Sequence, residues 1–276
     1  MIDMNEVVGR DDILLMTLDT LRFDVADRLM RGGRTPHLAA LLPGGWERRH
    51  TTGSFTYSAH QAFFAGFLPV PCEPGVHPRP FALRFLGSET TGPRTCVLDG
   101  PDIVAGLAAR GYRTICVGGV GFFNKQNPLG RVLPGLFEES HWSPALGVAE
   151  PRSTENQVAL VEELLAKAPP GQRLFLFVNV SALHQPNRCY LPGAENDSVE
   201  SHAAALEYVD RQLPRLVAAL RRRGRWLAIV CSDHGTAYGE DGYTGHRHAH
   251  PVIWTVPYGE LVVNGGLATS NACEEE

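Results

Sequence analysis

Short apolar runs that end in polar residues recur along the chain. Runs of this kind, without strict alternation, are typical of strands buried on both faces of a parallel sheet. Two of them are each followed by an acidic residue: residues 13–18 precede Asp19, and residues 226–231 lie just before Asp233. Further strands are predicted at residues 46–51, 95–98, 113–117, 174–180, 252–256 and 261–263.

Apolar residues at helical spacing occupy much of the chain between these runs. Residues 198–223 form the longest amphipathic pattern, and Pro214 inside it is expected to kink the helix or split it in two. Thr35 and Pro36 have the pattern of a helix cap and a first helical residue. Strands that alternate with helices predict an α/β fold with parallel βαβ units. The predicted helices span residues 35–42, 101–110, 153–168 and 198–223, and another begins near Thr56.

Length and composition fit one large domain better than two. The chain has 276 residues, of which 43% are hydrophobic and 20% charged, so a substantial core is available. We therefore predict a single domain over residues 1–276. Loop insertions are predicted near residues 69–94, which are rich in Pro and Gly at their start, and near residues 118–151, which are rich in Gly and aromatic residues. Residues 271–276 are predicted to be a disordered tail.

The net charge, the first residues and the cysteines limit which partners and which cellular location are expected for the protein. The formal net charge is −5, and the one Arg cluster, residues 221–223, falls at a predicted helix end, where cations complement the helix dipole. The first residues contain neither a basic leader nor a long apolar run. Six cysteines without CxxC spacing argue against a zinc ribbon or structural disulfides. We expect a cytoplasmic protein that binds neither nucleic acid nor a membrane; nothing indicates its oligomeric state.

Asp19 and Asp233 follow two buried strands at opposite ends of the sequence. In open α/β sheets ligands collect beyond the carboxyl ends of the strands, so the two acids are expected to meet in space. His234 directly follows Asp233. Two carboxylates with an imidazole suit Zn²⁺ or Mn²⁺, and Ca²⁺ or Mg²⁺ are alternatives. An isolated Asp at a strand end often only caps the next helix, but the second acid and the adjacent His favour a metal site.

Thr56 lies where a Gly-Ser-Phe turn leads into a predicted helix. A hydroxyl there faces free backbone N–H groups and the positive end of the helix dipole, which favour a phosphate and a nucleophilic alkoxide. The alternative is a threonine that only caps the helix. Ser54 and Ser58 are competing candidates for the nucleophile.

Several motifs in order resemble the sulfatase branch of the alkaline phosphatase superfamily, whose fold is a three-layer αβα arrangement with a mostly parallel central sheet. Weaker similarities are found at residues 111–114, 183–186 and 256–257. Together the matches extend from residue 13 to residue 257. The motifs are ILLMTLDTLRFD at residues 13–24, TPHLAAL at residues 35–41, CSDHG at residues 231–235 and Gly-Glu at residues 239–240.

The nucleophile motif departs from that of sulfatases. Sulfatases carry Cys or Ser in a C/S-x-P-S-R motif, which is oxidised to formylglycine, whereas the matching stretch here begins at Thr56. Threonine cannot be converted to that aldehyde. The stretch is more similar to that of nucleotide pyrophosphatase/phosphodiesterases, in which an unmodified Thr attacks phosphorus and a His occupies the place of His60. The resemblance therefore implies phosphoester, phosphodiester or phosphonate-ester chemistry rather than sulfate hydrolysis.

The resemblance also implies a set of site residues. One metal would be bound by Asp19, Thr56, Asp233 and His234. His184 and His246 are candidates for a second metal, but the mid-chain Asp that it requires has no counterpart in residues 179–184. In one-metal relatives the residues at the positions of His184 and His246 bind the substrate anion. We predict Thr56 and His184 as catalytic residues, His246 as a further metal ligand, and His60, His184 and His250 as substrate-binding residues.

The sequence thus predicts a hydrolase that uses one or two divalent metal ions to cleave an anionic, phosphate-type ester through a covalent threonine intermediate. The substrate would be a small-molecule phosphodiester, phosphomonoester or phosphonate ester. One alternative is a phosphotransferase or phosphomutase that passes the group to an acceptor other than water. Another is an inactive binding member of the fold. For Arg22 an ion pair with Asp24 is the expected use.

Overall fold

A computed structural model describes residues 2–65 and 102–266. Seven of the strands form one sheet, and two short strands, β7 and β8, pair separately within this part of the chain. The strands are β1 (Asp12–Leu18), β2 (Glu47–His50), β3 (Tyr112–Val117), β4 (Glu139–His141), β5 (Arg173–Val180), β6 (Trp226–Cys231), β7 (Ala237–Tyr238), β8 (Thr244–Gly245) and β9 (Thr255–Val263).

The seven-stranded sheet is mostly parallel and has the order β2-β9-β6-β1-β5-β3-β4. Strands β6, β1, β5, β3 and β4 are mutually parallel, and β9 runs antiparallel to both of its neighbours. β1 lies at the centre between β5 and β6. The predicted mostly parallel sheet is therefore confirmed, and the two strands followed by Asp19 and Asp233 are direct neighbours.

Helices cover both faces of the sheet. Along β5, Leu174, Leu176 and Val178 belong to a buried cluster that includes α2, α3, α7 and α8, whereas Phe175 and Phe177 belong to a second cluster with α1, α4 and α5. Successive side chains of a strand point to opposite faces of the sheet, so helices pack on both faces. The architecture therefore has three αβα layers, as expected. The helices are α1 (Met4–Val7), α2 (Phe23–Arg31), α3 (Pro36–Leu41), α4 (Thr56–Ala65), α5 (Ile103–Ala108), α6 (Pro128–Val132), α7 (Ser153–Lys167), α8 (Val199–Arg223) and α9 (Pro251–Trp254).

The helix that contains Pro214 is not split. α8 is continuous over 25 residues, with Pro214 inside it. Proline removes one backbone donor, but Leu213 and Leu216 on either side of it are buried in the core. Burial of these apolar side chains offsets the lost hydrogen bond.

No helix in the described ranges combines the length and apolarity needed to cross a membrane.

Thr35 occupies the N-cap position of α3 and Pro36 begins the helix, as predicted, but the Thr35 side chain makes no capping bond. Instead Asp210 of α8 accepts hydrogen bonds from the backbone N–H groups of His37 and Leu38 at 3.2 and 2.7 Å. One local prediction was wrong. The predicted strand 252–256 begins instead with α9, because Pro251 occupies its first turn and the His250 side chain accepts from the N–H of Val252.

The segment after β3 contributes an edge strand that was not predicted. β4 pairs in parallel with β3, and α6 begins at the Asn-Pro step where Asn127 caps the helix. The predicted strand 95–98, the loop insertion 69–94 and the tail 271–276 lie outside the described residues.

Candidate active site

The carboxyl ends of β1 and β6 bring Asp19 and Asp233 to the same edge of the sheet. The strands are parallel neighbours, with Thr17 opposite Cys231 at their ends. The backbone N–H of Thr20 donates to Asp233 Oδ1 at 3.2 Å and joins the two loops. The convergence follows from sheet topology, because parallel strands end at a common edge.

Asp19, Asp233 and His234 form a compact cluster. One potential ligand atom from each residue lies within 4.8 Å of the others, and all three side chains are fully buried. Thr56 Oγ1 lies 3.4 Å from Asp19 Oδ2 and 3.3 Å from His234 Nε2. The structure therefore brings together the four residues that the sequence predicts for one metal site.

Burial makes the two carboxylates electrostatically costly. Loss of solvent, together with the charge of Asp233, raises the pKa of Asp19 to about 6. Burial also raises the pKa of Asp233 to about 7. Asp19 Oδ1 and Asp233 Oδ2 have no hydrogen-bond partner in the described part of the chain and are closed off from solvent. A cation between them would supply the missing partner, because a buried charge requires an opposite charge or hydrogen bonds.

Hydrogen bonds fix the protonation of His234. Its Nδ1 lies 2.8 Å from the carbonyl of Gly235, which can only accept, so Nδ1 carries the proton. The lone pair of Nε2 is then directed toward Thr56 and lies 3.5 Å from Asp233 Oδ2. Burial lowers the pKa of His234 and keeps the ring neutral. A neutral imidazole nitrogen and two carboxylate oxygens fit Zn²⁺ or Mn²⁺.

Thr56 is positioned by a tight approach at the start of α4. A Cβ on Gly53 would lie 2.2 Å from Ser58 Oγ and 2.6 Å from the backbone nitrogen of Ala59, so this approach requires glycine. The hydroxyl of Ser58 donates to the carbonyl of Phe55 at 2.9 Å and is used within the turn. The hydroxyl of Thr56 is the one that contacts the buried cluster.

His60 lies behind Thr56. Its Nδ1 donates to the carbonyl of Thr56 at 2.7 Å, and its Nε2 lies 3.2 Å from Thr17 Oγ1. The ring packs against Phe123 and Phe177 and is fully buried, which lowers its pKa to about 3. Both ring nitrogens therefore contact protein groups, and the residue holds the backbone of Thr56.

His184 and His246 lie beside the cluster. Their ring centroids are 5.5 Å apart, and His246 lies 4.6 Å from the ring of His234. Nδ1 of His184 donates to the carbonyl of Gln185 at 2.5 Å, which leaves Nε2 for another partner. Burial and the neighbouring His234 lower the pKa of His246 to about 3. With Thr56, both residues line a pocket of about 370 Å³.

The later histidines of the same loop have other contacts. His250 accepts from the N–H of Val252 and lies 3.1 Å from Asp241 Oδ2, so it caps α9. The ring of His248 stacks on Tyr243 at 4.7 Å. Neither residue is among those that line the pocket beside Thr56.

Asn179 at the end of β5 contacts the candidate metal ligand Asp19. Its Nδ2 donates to Asp19 Oδ2 at 3.0 Å and to Thr17 Oγ1 at 3.2 Å, while its Oδ1 accepts from the N–H of Val120 at 3.0 Å. Because Asn179 is fully buried and its oxygen is already used, it presents a donor to Asp19. An amide donor in this position would repel a second cation rather than bind it.

Sequence reasoning missed several residues near Thr56. Arg22, in contrast, forms the ion pair with Asp24 that the sequence predicts, and a second ion pair with Glu240. The Asn-Pro step at residues 127–128 carried a signal for a helix start, but nothing pointed to its place beside the nucleophile. The pocket residues not predicted as candidates are Val120, Gly121, Phe122, Asn124, Asn127, Leu129, Gly130 and Arg247.

Gly235 permits the backbone after the Asp-His pair to approach α9. A Cβ there would lie 1.9 Å from the carbonyl oxygen of Val252, and the N–H of Gly235 donates to Ile253 at 2.6 Å. We expect Gly235→Ala to lower the free energy of unfolding by about 3 kcal/mol, because the backbone must shift. Denaturant unfolding measures the change. Gly44→Ala, at an exposed position with no atom within 4 Å, is the control and should leave stability almost unchanged.

Comparisons with known proteins agree with this fold. A family model described as Sulfatase matches residues 11–258. No curated protein sequence matches significantly. The fold is similar to that of the C-terminal periplasmic domain of EcEptC from Escherichia coli in complex with Zn, with 13% identity, a TM-score of 0.61, and coverage of 92% of this chain and 73% of that chain.

Two other solved structures have similar folds. The C-terminal periplasmic domain of phosphoethanolamine transferase EptC from Campylobacter jejuni has 13% identity and a TM-score of 0.60, covering 91% of this chain and 79% of that one. A protein in the alkaline phosphatase superfamily from Vibrio parahaemolyticus has 18% identity and a TM-score of 0.56, with coverage of 93% and 60%. These similarities concern the fold.

Proposed function

The chain belongs to the sulfatase family of the alkaline phosphatase superfamily, and from this premise we propose that it is a metal-dependent hydrolase of phosphate-type esters. The proposed nucleophile is Thr56. The substrate would be a small anionic phosphodiester, phosphomonoester or phosphonate ester. The reaction would proceed through a covalent phosphothreonine.

One observation carries the proposal. The hydroxyl of Thr56 lies within 3.4 Å of both Asp19 and His234, in a cluster that contains two buried carboxylate oxygens without partners in the described ranges. A threonine that only caps a helix does not need this surrounding. The arrangement is suited to an activated nucleophile beside a cation.

The type of nucleophile favours phosphorus over sulfur. In sulfatases the attacking group is an aldehyde hydrate made from Cys or Ser, and Thr56 cannot be converted to it. A threonine hydroxyl can attack phosphorus directly, as in the phosphodiesterases that its motif resembles. We therefore propose that sulfate esters are not the preferred substrates.

The proposed metal ligands are Asp19, Thr56, Asp233 and His234. A divalent ion bound by them would activate the Thr56 hydroxyl and withdraw charge from a non-bridging oxygen of the substrate. The amide of Asn179, which donates to Asp19, supports a single ion rather than two. His246, predicted as a further ligand, would then face the substrate.

The protein groups around Thr56 support a two-step displacement. The Thr56 oxygen would attack phosphorus in line, the bond to the leaving alcohol would break, and the hydroxyl proton would pass to solvent. Water would then attack the phosphothreonine, restoring the hydroxyl and releasing the phosphate product. His184, when protonated at Nε2, and His246 can donate to oxygens of the transferring group, and His60 holds the Thr56 carbonyl.

A transferase is the second candidate. It is favoured by the similarity in fold to a protein named as a phosphoethanolamine transferase. In that case an alcohol of an acceptor would replace water in the second step, and the phosphothreonine would be the same. That protein is named as a periplasmic domain, whereas a cytoplasmic location stays a prediction for this chain.

Metal analysis followed by an ester panel tests the proposal. We expect about one divalent ion per chain, bound through the four proposed ligands. With Zn²⁺ or Mn²⁺ restored, we expect cleavage of at least one aryl phosphate, phosphodiester or phosphonate and little cleavage of an aryl sulfate. Added alcohol or sugar that diverts product from free phosphate would favour the transferase. No turnover of any ester with Zn²⁺, Mn²⁺, Ca²⁺ or Mg²⁺ would favour an inactive binding protein.

A further inference from the structure

The pocket beside Thr56 has a chemical composition that selects a class of ligand. Its volume is about 370 Å³, large enough for a substituent of one small ring. No acidic residue is among the described residues that line it. Apart from Thr56, the two histidines and two glycines, the lining comprises three apolar side chains (Val120, Phe122 and Leu129), two amides (Asn124 and Asn127) and the cation Arg247.

The amides present donors to the pocket. Asn124 Oδ1 accepts from the N–H of Gln126 at 2.9 Å, and Asn127 Oδ1 accepts from the N–H of Gly130 at 2.8 Å. With both oxygens engaged, the amide nitrogens are the groups through which these side chains can bind a ligand. Donors and a cation without an acidic neighbour favour an anionic ligand group.

Arg247 is held beside the nucleophile by its backbone and its side chain. Its φ of 81° lies in the left-handed region, which non-glycine residues adopt only where the surroundings impose it. Its N–H donates to the carbonyl of Ser54 at 2.9 Å, and its guanidinium carbon lies 5.7 Å from the ring centroid of Phe55. Phe55 directly precedes Thr56, so Arg247 is fixed to the start of α4.

The guanidinium of Arg247 is available to a ligand. No carboxylate within the described ranges lies within ion-pair distance of it, whereas Arg22 is neutralised by Asp24 and Glu240. The side chain is exposed at the rim of the pocket. An arginine in this state can bind a carboxylate or phosphate through two parallel hydrogen bonds.

We propose that this pocket binds the organic substituent of the ester and that Arg247 selects substituents bearing a second anionic group, such as a carboxylate or a phosphate. Val120, Phe122 and Leu129 contact the carbon part of the substituent, and Arg247 at the rim binds its charge. The inference rests on the proposed function for the identity of the reacting ester. It deepens that function by naming the substrate class: anionic esters with two separated negative groups.

Ligand binding in a Thr56→Ala background tests the inference without turnover. Zinc-loaded protein is titrated by calorimetry with diphenyl phosphate and with its analogue that carries one 4-carboxyl group. We expect the carboxylate to bind about tenfold more tightly, as one charge-assisted contact at a partly exposed site allows. Adding Arg247→Gln should remove this preference, and Arg247→Lys should restore part of it.

Arg131→Gln is the matched control for charge. Arg131 is exposed on α6 and does not line the pocket; its Nε donates to the carbonyl of Lys125. This variant should keep the tenfold preference. An unchanged preference in Arg247→Gln, or no binding of either ligand, would overturn the inference. If the preference depends on Arg247 but the protein with Thr56 intact cleaves no ester, the proposed function fails and the pocket assignment stands.

Discussion

Thr56→Ala is expected to lower the turnover of any ester that the protein cleaves by about 10³-fold or more. The reason is that the proposed reaction forms its first bond at the Thr56 oxygen, and neither Ser54 nor Ser58 hydrogen-bonds to Asp19 or His234 within the described residues. The Ser58 hydroxyl instead donates to the carbonyl of Phe55. The Thr56 hydroxyl lies within 3.4 Å of both Asp19 and His234. Steady-state kinetics on an aryl ester, with metal restored, measures the loss.

The metal content of the same variant separates chemistry from assembly. Asp19, Asp233 and His234 remain, so Thr56→Ala should still bind about one ion per chain. Thr56→Ser keeps a hydroxyl and should retain measurable turnover, whereas Ser58→Ala should lose only stability through the missing bond to Phe55. Full activity of Thr56→Ala would remove Thr56 from the mechanism.

The centre of the site could be predicted because it follows from sheet topology. Apolar runs before Asp19 and Asp233 identify two buried strands, and parallel neighbours end at one edge of a sheet. His234 directly follows Asp233 in sequence, so the strand that brings Asp233 to this edge also brings His234 there. Thr56 required the resemblance as well, because its local pattern is also that of a helix cap.

The outer part of the site could not be predicted, because long-range contacts decide it. Asp210 caps α3 by accepting from the N–H of Leu38, although the two residues are 172 positions apart in the sequence. No local signal indicates such a partner. Arg247 reaches the pocket only because its loop bonds to Ser54 and its backbone adopts a left-handed conformation. His60 has the spacing of a residue beside the nucleophile, yet its two nitrogens contact Thr56 and Thr17.

The second large effect concerns the two buried carboxylates when metal is removed. The pKa values of Asp19 and Asp233 are raised to about 6 and about 7, above the unfolded value of 3.8. Between pH 4 and 7 these two side chains therefore hold protons in the folded state that they have lost in the unfolded state, so the stability that the pair contributes falls as the pH rises through this window. We expect this pair to lose about 4 kcal/mol of its contribution to the unfolding free energy of chelated protein between pH 5 and pH 8. Buried histidines whose pKa values are lowered, such as His60 and His246, gain stability over the same range, so the effect of the pair is seen as a difference from a variant that lacks one of the two carboxylates. Urea unfolding of the parent and of Asp233→Asn at the two pH values measures it.

Asp233→Asn isolates the contribution of this pair. The asparagine oxygen can still accept from the N–H groups of Thr20 and His234, and its amide replaces Oδ2 beside the His234 ring nitrogen. In chelated protein the variant should therefore be more stable than the parent at pH 8, and its unfolding free energy relative to the parent should increase by more than about 2 kcal/mol from pH 5 to pH 8. Added Zn²⁺ should stabilise the parent at pH 8 and have little effect on the variant, because the ion stabilises only a folded state that binds it. Equal responses of the two proteins to pH and to Zn²⁺ would mean that the carboxylates are not the cation site, since removing one charge of a metal-binding pair must change both.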